Sequence, residues 1–90
     1  MDSIKLILLK TGIYVISYIT EMEMEPSVFL SDPKEVVDGE TVTLRPFPRH
    51  SGQRNVLLYS DFLATIVDPD PTLLKQYQES TPKDDEELLQ

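Results

Sequence analysis

Two apolar segments joined by a glycine turn dominate the first third of the sequence. Residues 4–10 are rich in branched side chains, and Thr11 and Gly12 form a tight turn, which predicts an antiparallel hairpin. Apolar residues alternate along the second segment, so one face of this strand is expected to be buried. The residues on that face are Ile13, Val15 and Ile19, whereas Tyr14, Ser17 and Thr20 are assigned to the other positions.

Proline residues divide the middle of the chain. Pro26 removes a ladder donor and is expected to end the second strand. A third strand is predicted over residues 27–37, with a bulge or edge kink at residues 31–33. Because proline restricts the residue before it, Asp32 is expected to be extended ahead of Pro33.

Turn-forming residues delimit the remaining strands. Asp38-Gly39 predicts a turn into a fourth strand over residues 41–44. Residues 46–55 contain turn formers throughout and form the longest predicted loop. The last two strands, separated by a corner at Ser60-Asp61, are predicted at residues 56–59 and 62–67.

The spacing of apolar residues changes after the last predicted strand. Asp70 can cap a helix whose first turn accepts Pro71. Leu73, Leu74 and Tyr77 then fall on one helical face. We therefore predict a short C-terminal helix.

Length and composition predict one small domain, residues 1–78, followed by an acidic tail, residues 79–90. The chain has 90 residues and a formal charge of −8, and the tail holds five of its acids and one base. The absence of cysteine fits a reducing compartment. The apolar run at residues 6–9 is far too short to cross a membrane or to act as a signal sequence. The chain is thus expected to be soluble and cytoplasmic, without a membrane partner.

The spacing from Leu9 to Leu30 resembles, without gaps, the first motif of the Sm/LSm family, and more particularly its short members of cyanophage type. Gly12 stands at the turn glycine of that motif and Ser17 at the residue where the second strand bends. The resemblance implies a mostly β fold: a small, strongly bent, five-stranded antiparallel barrel, with a Pro-rich loop inserted and a short C-terminal helix. It also implies a base pocket framed by Glu23 and Ser27, with Glu25 at a position where many members carry a stacking side chain.

The second family motif resembles residues 58–66, where Tyr59 and Ser60 stand in place of Arg and Gly. Two interpretations of Tyr59 stay open. On a pore-facing loop its ring could stack on a base, whereas at a strand end it would pack as a half-buried residue. The candidate nucleic-acid-binding residues from the two motifs are Ser27, Tyr59 and Ser60.

All three arginines of the chain fall within a segment that contains no acidic residue. Repeated around a ring, this segment would form a circle of cations able to follow a phosphate backbone. Pairing with acids of a neighbouring subunit is an equally supported alternative. The basic candidates for nucleic-acid binding are Arg45, Arg49, His50 and Arg54.

The function predicted from these features is a homo-oligomeric ring that binds single-stranded RNA or DNA and does no catalysis. The chain has a single histidine and no phosphate-binding glycine loop, so no catalytic residues, metal site or cofactor are predicted. Glu21, Glu23 and Glu25 could bind a divalent cation, but a solvated strand that resists aggregation is favoured. The alternative function is an acidic homo-oligomeric interaction or assembly module that has lost nucleotide recognition.

Overall fold

An antiparallel sheet with one C-terminal helix makes up the described part of the computed structural model, residues 3–21, 27–48, 50 and 55–80. A three-residue 3-10 turn, Ser60–Phe62, joins the last two strands. The strands are β1 (Ser3–Leu9), β2 (Tyr14–Glu21), β3 (Ser27–Val37), β4 (Thr43–Pro46), β5 (Asn55–Tyr59) and β6 (Leu63–Val67), and the helix is α1 (Pro71–Ser80).

The chain connectivity requires the sheet to curl. The strands follow the order β4-β3-β2-β1-β6, and β5 pairs with the same edge of β3 as β4 does. In a flat sheet, β5 and β6 would lie about four strand spacings apart, roughly 19 Å. Only Ser60–Phe62 separates them, and four Cα–Cα steps reach about 15 Å. The amide of Lys10 donates to the carbonyl of Phe62 at 2.9 Å and holds the turn against the hairpin.

The inner face of the curled sheet carries the hydrophobic core. Val15 and Ile19 are buried there, as the alternation in β2 predicts, and Ile13 packs against them. Gly12 has a φ of +94°, the left-handed conformation that its turn position predicts. The other buried members of this core are Ile7, Leu9, Val28, Leu30 and Leu58.

A β-bulge in β3 lies opposite Ser17 and confirms the predicted irregularity before residue 34. Ile16 pairs with Lys34 and Tyr18 pairs with Ser31, so two residues of β3 face one residue of β2. Ser17 is fully buried, and its hydroxyl lies 3.0 Å from the carbonyl oxygen of Ser31 and 2.7 Å from that of Tyr18. The single hydroxyl proton of Ser17 is thus available to two backbone carbonyls at the point where the sheet bends.

Helix α1 packs on the outer face of the sheet. Its N-cap is confirmed, since Asp70 Oδ1 accepts from the amide of Leu73 at 2.7 Å. Tyr77 is fully buried, and its ring lies 5.7 Å from that of Tyr18. The Tyr77 hydroxyl donates to the carbonyl of Asp32 at 2.7 Å, inside the bulge. Burial, followed by the charge of Asp32, raises the pKa of Tyr77.

The structure confirms a mostly antiparallel β fold with a short C-terminal helix and corrects several details. Six described strands are present, as the residue pattern predicts, rather than the five that the resemblance implies, and β4 and β5 share one edge of β3. Among these strands β5 and β6 do not pair with each other, so the sheet is curled but not closed. β4 begins at Thr43 rather than at residue 41, since residues 39–41 form the bend after β3.

Asp32 also departs from expectation. Its φ is +57°, in the left-handed region, rather than the extended conformation predicted from Pro33. The residue lies in the bulge, whose two-against-one pairing demands a local change of backbone direction. Asp is also among the residues that tolerate positive φ best. The tertiary requirement of the bulge therefore outweighs the local preference set by Pro33.

Candidate assembly and nucleic-acid surface

The two strands joined by the 3-10 turn each have one open edge. β5 pairs with β3 and β6 pairs with β1, and no described strand covers the opposite edge of either one. Their sequences, Asn-Val-Leu-Leu-Tyr and Leu-Ala-Thr-Ile-Val, contain neither a charged residue nor proline. Charges and prolines are the usual devices that prevent an edge strand from pairing with another chain. Both edges are therefore chemically open to strand addition.

The third edge strand, β4, provides an internal comparison. Its sequence is Thr-Leu-Arg-Pro, so Arg45 and Pro46 give it a charge and a missing backbone donor. Arg45 is exposed and has no ion pair with any residue that the structure describes. The chain thus carries edge protection on β4 and lacks it on β5 and β6.

Exposed apolar side chains cluster along the two open strands. In β5, Val56 and Leu58 face the core, which leaves Leu57 and Tyr59 on the outside. We call the exposed apolar residues of this region the edge surface: Leu57, Tyr59, Phe62 and Val67. The composition of the two strands could have revealed these residues from the sequence, whereas their place beside two open strand edges required the fold.

The structure brings together the three candidates taken from the family motifs. Tyr59 ends β5 directly opposite Ser27, the first residue of β3, and Ser60 begins the 3-10 turn beside them. Tyr59 is 57% exposed, which agrees with a ring available for stacking rather than one packed at a strand end. Ser27 is only 6% exposed, so in the single chain its side chain offers little surface to a base.

Among the basic candidates, Arg45 lies apart from this group. Arg45 sits in β4, not in a loop, opposite Glu35 of β3. Along β3, Glu35 lies eight residues from Ser27, with the bulge between them. His50 is exposed and has a φ of +66°, while Arg49 and Arg54 lie outside the described residues.

The predicted acidic strand and tail fall largely outside the described residues. This holds for the side chain of Glu21, for Glu23 and Glu25, and for residues 81–90. Within the part of the chain that the structure covers, no three metal-ligating side chains group together. None of the helices in the described ranges is long and apolar enough to cross a membrane.

Comparison with known proteins assigns the chain to a family. A family model described as "Family of unknown function (DUF6561)" matches residues 2–82, so the chain belongs to this family. The match includes every described strand and α1. No curated protein matches the sequence.

Proposed function

We propose that this member of the DUF6561 family is an Sm-like barrel protein that forms a homo-oligomeric ring and binds single-stranded RNA or DNA without catalysis. The observation that carries the proposal is the pair of unprotected strand edges on either side of Ser60–Phe62. These edges belong to different strands, so β5 of one copy would pair with β6 of the next. Such a head-to-tail contact closes into a ring when its rotation permits.

Mass measurements in solution test the assembly step. We expect size-exclusion chromatography with light scattering to give a multiple of the 10.3 kDa chain mass. The double variant Leu57→Lys/Val67→Lys places two charges on the edge surface and should give the monomer. Both side chains point away from the core, so the circular dichroism spectrum should stay unchanged.

Val42→Lys is the matched control, because Val42 is exposed, apolar and outside the edge surface. It should keep the mass of the unsubstituted protein. A mass of one chain at every concentration would refute ring formation. Equal effects of Val42→Lys and the double variant would refute assembly through the edge surface.

Nucleic-acid binding is proposed to depend on the exposed ring of Tyr59. Base stacking on an aromatic side chain contributes roughly 1–3 kcal/mol, so Tyr59→Ala should weaken binding by about 5-fold to 150-fold. Tyr59→Phe retains the ring and should bind normally. Tyr14→Ala removes a similarly exposed tyrosine outside the edge surface and should have little effect.

The assay is the mobility shift of U-rich and A-rich oligonucleotides at two salt concentrations. Arg49→Ala combined with Arg54→Ala should weaken binding to all sequences and flatten its salt dependence. The molar mass of each variant is measured by light scattering, so that a loss of base stacking is distinguished from a loss of assembly. No shift for any oligonucleotide at low salt would refute nucleic-acid binding while leaving the assembly proposal intact.

The burial of Ser27 and the charge of −8 favour a second candidate function, an assembly module without nucleotide recognition. A pull-down from nuclease-treated extract separates the two candidates. Protein partners that survive nuclease treatment support the module, whereas partners that disappear are bridged by nucleic acid.

A further inference from the structure

A groove with a volume of about 370 Å³ lies between the start of α1 and the sheet. Leu6, Tyr14 and Val36 come from three adjacent strands, and Leu73 comes from the helix. Leu6 lies next to the core residue Ile7 in β1 and therefore points to the opposite face, as does Ile16, with which it pairs. The groove is thus on the outer face of the sheet, where Leu6 pairs with Val67 of the edge surface.

The exposed apolar side chains of the described residues fall into two groups. Four of the six large ones form the edge surface, and the other two, Tyr14 and Val42, line this groove. They are 41% and 39% exposed. Strand addition at the β5 and β6 edges would leave the second group, Tyr14 and Val42, in water.

The charged residues of the groove are both acidic. Asp38 follows β3, and Asp70 precedes α1. Asp70 uses Oδ1 to cap Leu73, and its second carboxylate oxygen can accept a further hydrogen bond. None of the lining residues among those described is basic. The groove therefore combines an apolar floor with a negative rim.

We propose that this groove binds a short peptide segment of a partner protein in which apolar residues are flanked by Lys or Arg. The apolar side chains would cover Tyr14 and Val42, and the cations would meet Asp38 and Asp70. This inference does not depend on the proposed ring or on nucleic-acid binding.

Charge excludes the competing occupants. A nucleic acid would bring phosphates against two carboxylates. The acidic tail of the same chain, with five acids in residues 79–90, carries the same unfavourable charge. A basic and apolar segment is complementary to both the lining and the overall charge of −8.

Fluorescence anisotropy with the full-length protein tests the proposal. The probe is a fluorescein-labelled Lys-Leu-Arg-Leu-Lys peptide, compared with Glu-Leu-Glu-Leu-Glu and with Lys-Ser-Arg-Ser-Lys. Only the first should show saturable binding, because the second reverses the charge and the third removes the apolar side chains. Equal binding of the first and third peptides would show that binding is due to nonspecific charge attraction alone and would overturn the proposal.

Variants locate the binding site. Asp38→Asn/Asp70→Asn removes both charges, so the affinity for the first peptide should fall by about five-fold. Folding should be retained, because Asn is also favoured in the turn at residue 38 and as the N-cap at residue 70. The control Asp61→Asn/Glu79→Gln makes the same charge change at exposed residues outside the groove and should bind normally. Val42→Ser should also weaken binding. Equal effects of the two double variants would refute a site in the groove.

Discussion

The hydrogen bond from Tyr77 to the bulge predicts a specific loss of stability in Tyr77→Phe. Phe keeps the buried ring but removes the hydroxyl, which donates to the carbonyl of Asp32 at 2.7 Å. A hydrogen bond contributes a net of about 0.5–1.5 kcal/mol, and a desolvated acceptor left without its partner costs about 1–3 kcal/mol. We therefore expect the free energy of unfolding to fall by about 1–2 kcal/mol.

Urea denaturation followed by circular dichroism measures this loss. A chain of this size has a total stability of roughly 5–13 kcal/mol and a urea m-value of about 1–2 kcal/mol/M. The midpoint should therefore fall by about 1 M while the m-value stays constant. Protein concentrations must be matched, because the proposed assembly would make the midpoint depend on concentration.

Tyr59→Phe is the control, since it removes the same hydroxyl from a ring that is 57% exposed. It should change stability by less than about 0.5 kcal/mol. The reasoning fails if Tyr77→Phe unfolds within about 0.3 kcal/mol of the unsubstituted protein, or if the two variants lose equal stability.

Three further predictions follow from the described contacts. Because the pKa of Tyr77 is raised, the folded state holds the phenol proton more tightly than the unfolded state does. Its contribution to stability is therefore complete below about pH 10 and is lost as the pH rises above that value. In urea titrations, the free energy of unfolding of Tyr77→Phe should decline less steeply with pH in this range, by up to about 1.4 kcal/mol per pH unit. Ser17→Val should lower the free energy of unfolding by about 1–3 kcal/mol, because the buried carbonyls of Tyr18 and Ser31 lose the hydroxyl that lies within hydrogen-bond distance of both. An unchanged urea midpoint would contradict this. Asp70→Ala should cost about 1 kcal/mol in thermal unfolding while Asp70→Asn stays close to the unsubstituted protein, and equal loss in both would exclude capping as the cause.

Features determined by neighbouring residues could be predicted from the sequence. The turn at Gly12 and the cap at Asp70 each depend on contacts within four residues, and both occur as predicted. Ser17, assigned to the other positions, is also fully buried, but Val15 and Ile19 are buried as the two-residue alternation of β2 predicts. Such features depend little on the rest of the fold.

Features determined by distant residues could not be predicted in this way. The residue spacing predicts that Tyr77 lies on an apolar helical face, but its partner, the carbonyl of Asp32, lies 45 residues earlier. The positive φ of Asp32 runs against the preference that Pro33 imposes and is explained only by the bulge. The arrangement of the candidate site residues also depends on distant strand pairing. Tyr59 and Ser27 are opposite each other because β5 pairs with β3. Arg45 is separated from them because β4 pairs with a different part of β3.

The bulge also connects the helix to the proposed assembly surface. The positions of the β5 and β6 edges depend on how far the sheet curls, because only Ser60–Phe62 separates the two strands. Ser17 holds the bulge from within the sheet, and Tyr77 holds it from α1. A stable curl keeps the two open edges at a constant angle, and a constant angle is what a head-to-tail contact needs in order to close rather than to continue as a filament. The contacts around the bulge are therefore expected to influence the size of the assembly as well as the stability of the chain.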